Sequence, residues 1–297
     1  MKVYDCFIFF NEFELLELRL NLLDKIVDYF VLVEANKTHK NEDKEFYFEK
    51  NKSKFQDYLP KIIHIKVEDM PEYDPNEPND KWKPEIHHRN CITRGLQNVE
   101  PEDIILISDI DEIPNPNVLD LLNNSKCSVL FKTRNRVLLD FVQVLKMFPN
   151  SLFGQHGMDL LDKTPLALEQ TLFYYFVNCR SKGSWNGTVI TKAKNFTSPQ
   201  KIRSRRDKFP RIRKSGWHFS YLGGVEKILL KMNSITEPKA NAFSADYVKN
   251  CIINGLDIYG RKGQEHEYEF IDFAEISPEP LKNLVQKYPY LYFDCEK

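Results

Sequence analysis

Little in this sequence points to a membrane span, a disulfide scaffold or a polyanionic partner. No stretch approaches the roughly 20 consecutive apolar residues that cross a bilayer. The apolar run at 7–10 leads straight into Asn11 and Glu12, without the h-region length or cleavage site of a signal peptide. Six cysteines, Cys6, Cys91, Cys127, Cys179, Cys251 and Cys295, are scattered with no CxxC and no Cys/His cluster. That pattern argues against structural zinc and dense disulfides, and for buried free thiols in a reducing compartment. The formal net charge is −1, so no global field favours nucleic acid or an anionic membrane. There is no internal repeat, low-complexity tract or clear interdomain linker. These absences leave a cytoplasmic globular protein as the expectation, with no nucleic-acid partner and with peripheral membrane contact left open.

What is present fits that class. The chain has 297 residues, 42% hydrophobic and 29% charged, enough for one sizeable α/β domain. Its first third alternates strand and helix signals. Residues 3–10 and 29–33 read as strands, with Glu34 at the end of the second. Residues 62–67 alternate Ile63, Ile65 and Val67 against His64 and Lys66. Between the first two strands, Asn11 offers a cap and Glu14 a capping-box partner for a leucine-rich helix. A helix is expected after Pro84, with Ile86, Cys91 and Ile92 on one side. Residues 104–107 form the short continuous apolar run of a buried parallel strand. Residues 72–83 read as a surface loop. Further on come an aromatic strand at 171–177, another at 188–191, a basic stretch at 201–214, and helices at 225–233, 245–254 and 279–287. Such alternation predicts an α/β fold with a mostly parallel sheet, whose ligands bind at the carboxyl ends of the strands.

At one such end lies Ser108-Asp109-Ile110-Asp111-Glu112-Ile113-Pro114. Residues two apart on extended chain project to one side, so Asp109 and Asp111 can converge. Two carboxylates at one point call for a positive partner, which a hard divalent ion such as Mg²⁺ or Mn²⁺ supplies. That ion would stabilise the charge on a departing nucleoside diphosphate. The same residues also fit a strand-to-helix turn in which Asp111 or Glu112 caps a helix. A second signal is Gly216-Trp217-His218-Phe219-Ser220-Tyr221, followed by Gly223-Gly224-Val225-Glu226. Here His218 is either a third metal ligand or a core histidine, and the following helix start offers N–H groups to an anion.

These pieces resemble glycosyltransferase family 17, the family of the bisecting β-1,4-N-acetylglucosaminyltransferases and their bacterial and viral relatives. The resemblance runs through 4–12, 16–21, 27–35, His88-Arg89-Asn90, the 108–114 motif, Asn178-Cys179-Arg180, 216–221, and 246–247 through 255–261. It implies a GT-A-like fold with a helical C-terminal part, an inverting mechanism, and a UDP-sugar donor with N-acetylglucosamine as the expected sugar. It also implies Mn²⁺ or Mg²⁺ at the aspartate motif. Metal ligands are then Asp109, Asp111 and His218. The nucleotide-sugar contacts are Glu12, Glu34, Arg89, Asp109 and Asp111. Helix capping for Glu12 and a surface ion pair for Arg89 are the alternatives.

An inverting transferase needs a base for the acceptor hydroxyl. Glu226 is the leading candidate, near a helix start where the dipole keeps a carboxylate ionised. Glu112 and Asp257 are rivals, and Asp111 is assigned to the catalytic group with Glu226. The chain is expected to form one domain over 1–297, with a nucleotide-sugar half at 1–132 and an acceptor-binding half with the C-terminal helices at 133–297. Residues 133–165 read as an acceptor-binding insertion. Vertebrate members carry a membrane anchor and stem that this sequence lacks, so a cell-envelope or capsule glycan is the expected acceptor. Competing readings are a nucleotide-sugar nucleotidyltransferase or hydrolase, and a non-catalytic glycan-binding protein on the same fold.

Overall fold

Strand β1 (Val3–Phe9) shows how the pattern becomes a sheet. Alternate side chains go to opposite faces of a strand. Phe7 and Phe9 join one apolar cluster, and Tyr4 and Cys6 join the other. The computed structural model describes residues 1–74, 76–77, 80–124, 157–235 and 243–294. In chain order the elements of its first part are β1, α1 (Phe13–Leu23), β2 (Tyr29–Ala35), α2 (Tyr47–Asn51), β3 (Ile62–Val67), α3 (Lys83–Asn90), β4 (Ile104–Asp109), β5 (Glu112–Pro114) and α4 (Val118–Asn124). Then come α5 (Gly157–Leu161), β6 (Leu166–Tyr174), β7 (Cys179–Lys192), α6 (Pro199–Arg203), β8 (Arg211–Ile212), β9 (Gly216–Ser220), α7 (Gly224–Ser234), α8 (Ala245–Ile253), β10 (Tyr268–Phe270) and α9 (Glu279–Lys287).

One sheet runs β3-β2-β1-β4-β7-β6-β9-β5, with β10 on β7 and β8 on β6. The first four strands are mutually parallel. β7 then runs antiparallel to β4 and β6, while β9 lies parallel to β6. This is the expected α/β fold, with helices flanking a mostly parallel sheet, and it is consistent with the GT-A-like form. From β1 the chain passes to β2 and β3 on one side, and later to β4 on the other. That makes the carboxyl ends of β1 and β4 a topological switch point, where open α/β sheets bind ligands.

The leucines of α1 (Leu15, Leu16, Leu18, Leu20, Leu22 and Leu23) are buried with Phe7, Phe9, Ile104 and Leu106 against one face. Ile105, Ile107, Cys91 and Ile92 pack on the other. A third cluster joins α7 and α8 to the aromatic end of β6. Cys6, Cys91, Cys179 and Cys251 are buried, as expected, and form no disulfide among the described residues; Cys127 and Cys295 lie outside them. Among the described residues no helix is long and apolar enough to cross a membrane.

Three local expectations change, and a fourth is mostly not described. Asn11 does not cap α1: Glu12 precedes it and turns its carboxylate back onto the N–H groups of Phe10 and Asn11, while Glu14 accepts from Lys227 and Tyr290. Ile86 is exposed although Cys91 and Ile92 are buried, because α3 ends at Asn90 and a 3-10 turn re-aims the chain beyond it. The strand expected at 188–191 begins at Cys179, since its outer half is solvated and lacks an apolar signature. Most of the insertion expected at 133–165 lies outside the described residues.

Candidate active site

A cavity of about 400 Å³ opens at the switch point. Its floor is Asp109, the last residue of β4, with Ile110, Asp111 and Glu112. Ile8, Phe9 and Phe10 come from the end of β1, and Lys37, Thr38, His39 and Lys44 from the loop after β2. Arg89 reaches in from α3, Arg203 from α6, His218 from β9 and Lys231 from α7.

The acidic loop is held from beneath. Arg19 of α1 has no solvent exposure. It donates to both Asp5 oxygens at 2.7 and 2.6 Å, and to the Ser108 hydroxyl at 2.6 Å. Its Nη1 meets the carbonyls of Asp109, Ile110 and Glu112 at 3.2, 3.2 and 3.0 Å. A guanidinium carries five donors in a fixed fork, so one side chain satisfies a loop that would otherwise bury bare carbonyls. β9 secures the other side, where Phe219 N–H donates to the Asp111 carbonyl at 2.8 Å. Gly216, at φ +154°, starts that strand; a Cβ there would stand 2.3 Å from the Ile113 carbonyl oxygen.

Each motif aspartate has cationic partners. Asp109 accepts from Arg89 at 3.0 Å and from Arg203 at 2.9 Å, one on each oxygen. Burial opposes its charge, but Arg203 and Arg89 outweigh that and hold its carboxyl well below the usual range. Asp111 meets Lys231 at 2.8 Å through one oxygen and His218 Nε2 at 3.5 Å through the other. Burial again opposes ionisation, and Lys231 and His218 reverse it. Glu112 is occupied by the Asp109 N–H, the Trp185 indole and Arg203. It serves as a brace, with neither oxygen free to act as a base.

The expected metal trio is not assembled as such. Asp109, Asp111 and His218 do not bring three ligand atoms within 4.8 Å of one another; among the described residues Asp69, His87 and Cys91 do. Both Asp109 oxygens are instead engaged by arginines. Asp111 Oδ1 and His218 Nε2 are nevertheless well disposed. Their 3.5 Å gap is long for a hydrogen bond and is one that two ligands of a single divalent ion, each about 2.1 Å away, can span. These two residues fit a metal. At the other cluster, Asp69 gives both oxygens to Arg94, and burial raises the Cys91 thiol away from the thiolate that binds metal.

Glu12, Arg89, Asp109, Asp111 and His218 therefore share one cavity, whereas Glu34 and Glu226 do not line it. Glu34 sits on β2 with the pleat parity of the α1 face. It is fully buried, accepting from the Phe48 N–H at the start of α2 and meeting His64 at 3.1 Å. Glu226 is exposed on the first turn of α7; the cavity meets that helix farther on, at Lys231 and Ser234. Five residues along a helix is about 7.5 Å, enough to carry Glu226 out of reach. The start of α7, expected to offer N–H groups to an anion, is outside as well. Asp257 is tied to Arg261 and to the Tyr259 and Arg261 N–H groups, away from the cavity. Arg203, Lys231, Lys44 and His39 also line the cavity, and none of them stands in a motif that marks it as a site residue. The basic stretch at 201–214 is the visible trace of Arg203.

Residues 1–139 match the model of glycosyltransferase family 17. That segment holds β1 through α4 and so the switch point, Arg19, Arg89, Asp109 and Asp111. Arg203, His218 and Lys231 lie beyond the family 17 match. Over 110 residues the chain is 30% identical to the human and the rat beta-1,4-mannosyl-glycoprotein 4-beta-N-acetylglucosaminyltransferase, and 29% identical to the mouse protein of that name. Each alignment covers 35% of this chain and 20% of the relative, so the chain matches about a fifth of these relatives' length. The family 17 resemblance expected from the motifs is thus found independently in the N-terminal segment.

Proposed function

We propose that this chain is a glycosyltransferase that takes N-acetylglucosamine from UDP-N-acetylglucosamine and inverts its anomeric centre on transfer to a glycan hydroxyl. The observation that carries the reading is the pairing of Asp109 and Asp111 with Arg89, Arg203 and Lys231 at the mouth of a parallel sheet's switch point. Fixed acids and fixed cations in one cavity suit a ligand with both a diphosphate and hydroxyl groups. The name of the relatives supports the sugar, and the family 17 segment supports the reaction class.

The chemistry follows from charge. As the glycosidic bond to phosphate breaks, negative charge grows on the leaving diphosphate. Arg89 and Arg203 are already oriented by Asp109, so their remaining N–H groups meet that charge with little reorganisation. Lys231 adds a third positive charge on the Asp111 side. Asp111 and His218, with Asp109 beside them, would hold Mn²⁺ or Mg²⁺, which when bound supplies Lewis-acid stabilisation of the diphosphate. Glu12 lies at the end of β1, where a carboxylate can accept from ribose hydroxyls. Phe10 and Trp82 also line the cavity and offer aromatic surface to a base or a sugar.

A donor-hydrolysis screen over UDP-, GDP- and CMP-sugars, with and without Mn²⁺, tests the proposal. UDP and free N-acetylglucosamine from UDP-N-acetylglucosamine alone is the expected result. Sugar phosphate as product would point instead to a nucleotidyltransferase or pyrophosphatase.

A further inference from the structure

Two histidines, His88 buried and His39 partly buried, form a relay from the sheet to the cavity. His88 of α3 places Nε2 3.1 Å from the Val33 carbonyl oxygen. A carbonyl oxygen only accepts, so His88 Nε2 carries the hydrogen. Its other nitrogen, Nδ1, lies 3.2 Å from His39 Nε2. In a neutral imidazole the nitrogen without hydrogen accepts, so His39 Nε2 must donate. That leaves His39 Nδ1 as the acceptor of its ring. Both rings are kept neutral chiefly by burial, with Arg89 and Lys44 adding to the effect. The nearby carboxylates, Glu85 and Asp109, pull His39 the other way and are outweighed. His39 lines the cavity, and its Nδ1 has no hydrogen-bond partner among the described residues.

An acceptor whose tautomer is fixed by the backbone discriminates between ligands. It pairs with an N–H and repels a lone pair. Uracil and cytosine have nearly the same outline, but N3 is a donor in uracil and an acceptor in cytosine. Phe10 and Trp82 also line the cavity, and the Phe10 ring lies 5.5 Å from the ammonium of Lys44, which comes from the same loop as His39. A base stacked on such a ring is the part of a nucleotide that would meet His39.

We propose that His39, its tautomer set through His88 by the Val33 carbonyl, reads the imide N–H of a uracil base and so makes the site specific for uridine nucleotides. This rests on the nucleotide-sugar reading above.

Titration calorimetry with UDP and CDP, on the full chain in Mn²⁺, tests it. The wild type should bind UDP about 10- to 100-fold more tightly than CDP, the usual penalty for an unpaired buried polar group. In His39→Ala that preference should fall to within about threefold, mainly through weaker UDP binding. Circular dichroism checks that the variant is folded. Retention of the full UDP preference in a folded His39→Ala protein overturns the assignment. If His39→Ala does not fold, the wild-type comparison still decides, because equal affinity for UDP and CDP overturns it. Binding of neither nucleotide by the wild type would instead sink the donor reading beneath it.

Discussion

Arg19 Nη2 lies 2.6 Å from Asp5 Oδ1, and neither side chain has any solvent exposure. This pair joins α1 to β1 directly under the acidic loop. It is the reason Asp109, Ile110 and Glu112 can turn their carbonyls inward while the Asp109 and Asp111 side chains face the cavity.

Arg19→Met should therefore cost both stability and function. Removing one partner of a buried pair leaves an uncompensated charge, at about 3–5 kcal/mol. Urea denaturation should show a loss of that size. Adding Asp5→Leu should recover much of the stability but not donor turnover, because the loop carbonyls still lack their donors.

Asp109→Asn and Glu226→Gln should separate the cavity from its surroundings. Loss of the charge that orients Arg89 and Arg203 is expected to lower donor turnover about 10²- to 10³-fold. The fold should survive, since Arg203 keeps Glu112 and Arg89 keeps Glu85. Glu226→Gln, on an exposed helix turn outside the cavity, should change turnover by no more than about twofold. Donor-hydrolysis rates beside thermal melts check both.

Metal dependence should track His218. EDTA should abolish turnover, and Mn²⁺ should restore it. Because Asp111 and His218 form the pair that fits an ion, His218→Ala should raise the Mn²⁺ concentration for half-activity by about tenfold or more. An unchanged Mn²⁺ requirement in His218→Ala would remove that residue from the ion's ligand set.

The two histidines of the relay also predict a pH dependence of stability. His39 and His88 titrate below the ordinary value of about 6.5 when folded, and near it when unfolded. Above that pH neither state is protonated, and stability is full. As pH falls below about 6.5 the unfolded chain gains protons that the folded chain refuses, so stability drops. The loss should begin before the carboxylates titrate near pH 4. His88→Gln, which still offers Val33 a donor, should show a shallower decline between about pH 6.5 and 5. Urea midpoints across that range measure it.

Much of the parallel half is legible in the sequence because it obeys local rules. Residues 104–107 are apolar on both faces, and β4 is covered on both. α9 matches its expected limits because a strongly amphipathic pattern bounded by Pro278 and Tyr288 leaves little choice. The rest is set by contacts distant in sequence. Nothing near Arg203 says that it will lie 2.9 Å from Asp109, 94 positions away. Nothing near Glu34 says that pleat parity will turn it onto α2 and away from the cavity. His39 carries no local signal because its meaning depends on His88 and on the Val33 carbonyl, which only the fold brings together. Glu226 falls outside the cavity for a related reason: closeness to the 216–221 motif along the chain is not closeness in space, and the cavity samples α7 more than a turn farther on.

On the proposed function, the cavity at the tip of β4 holds the donor's diphosphate between the aspartate pair and its cations. A crystal soaked with UDP and Mn²⁺, with anomalous data recorded at the manganese edge, tests it most directly. The expected map has a manganese peak within bonding distance of Asp111 and His218, and diphosphate oxygens against Arg89, Arg203 or Lys231. Nucleotide and metal found together at any other surface would contradict it.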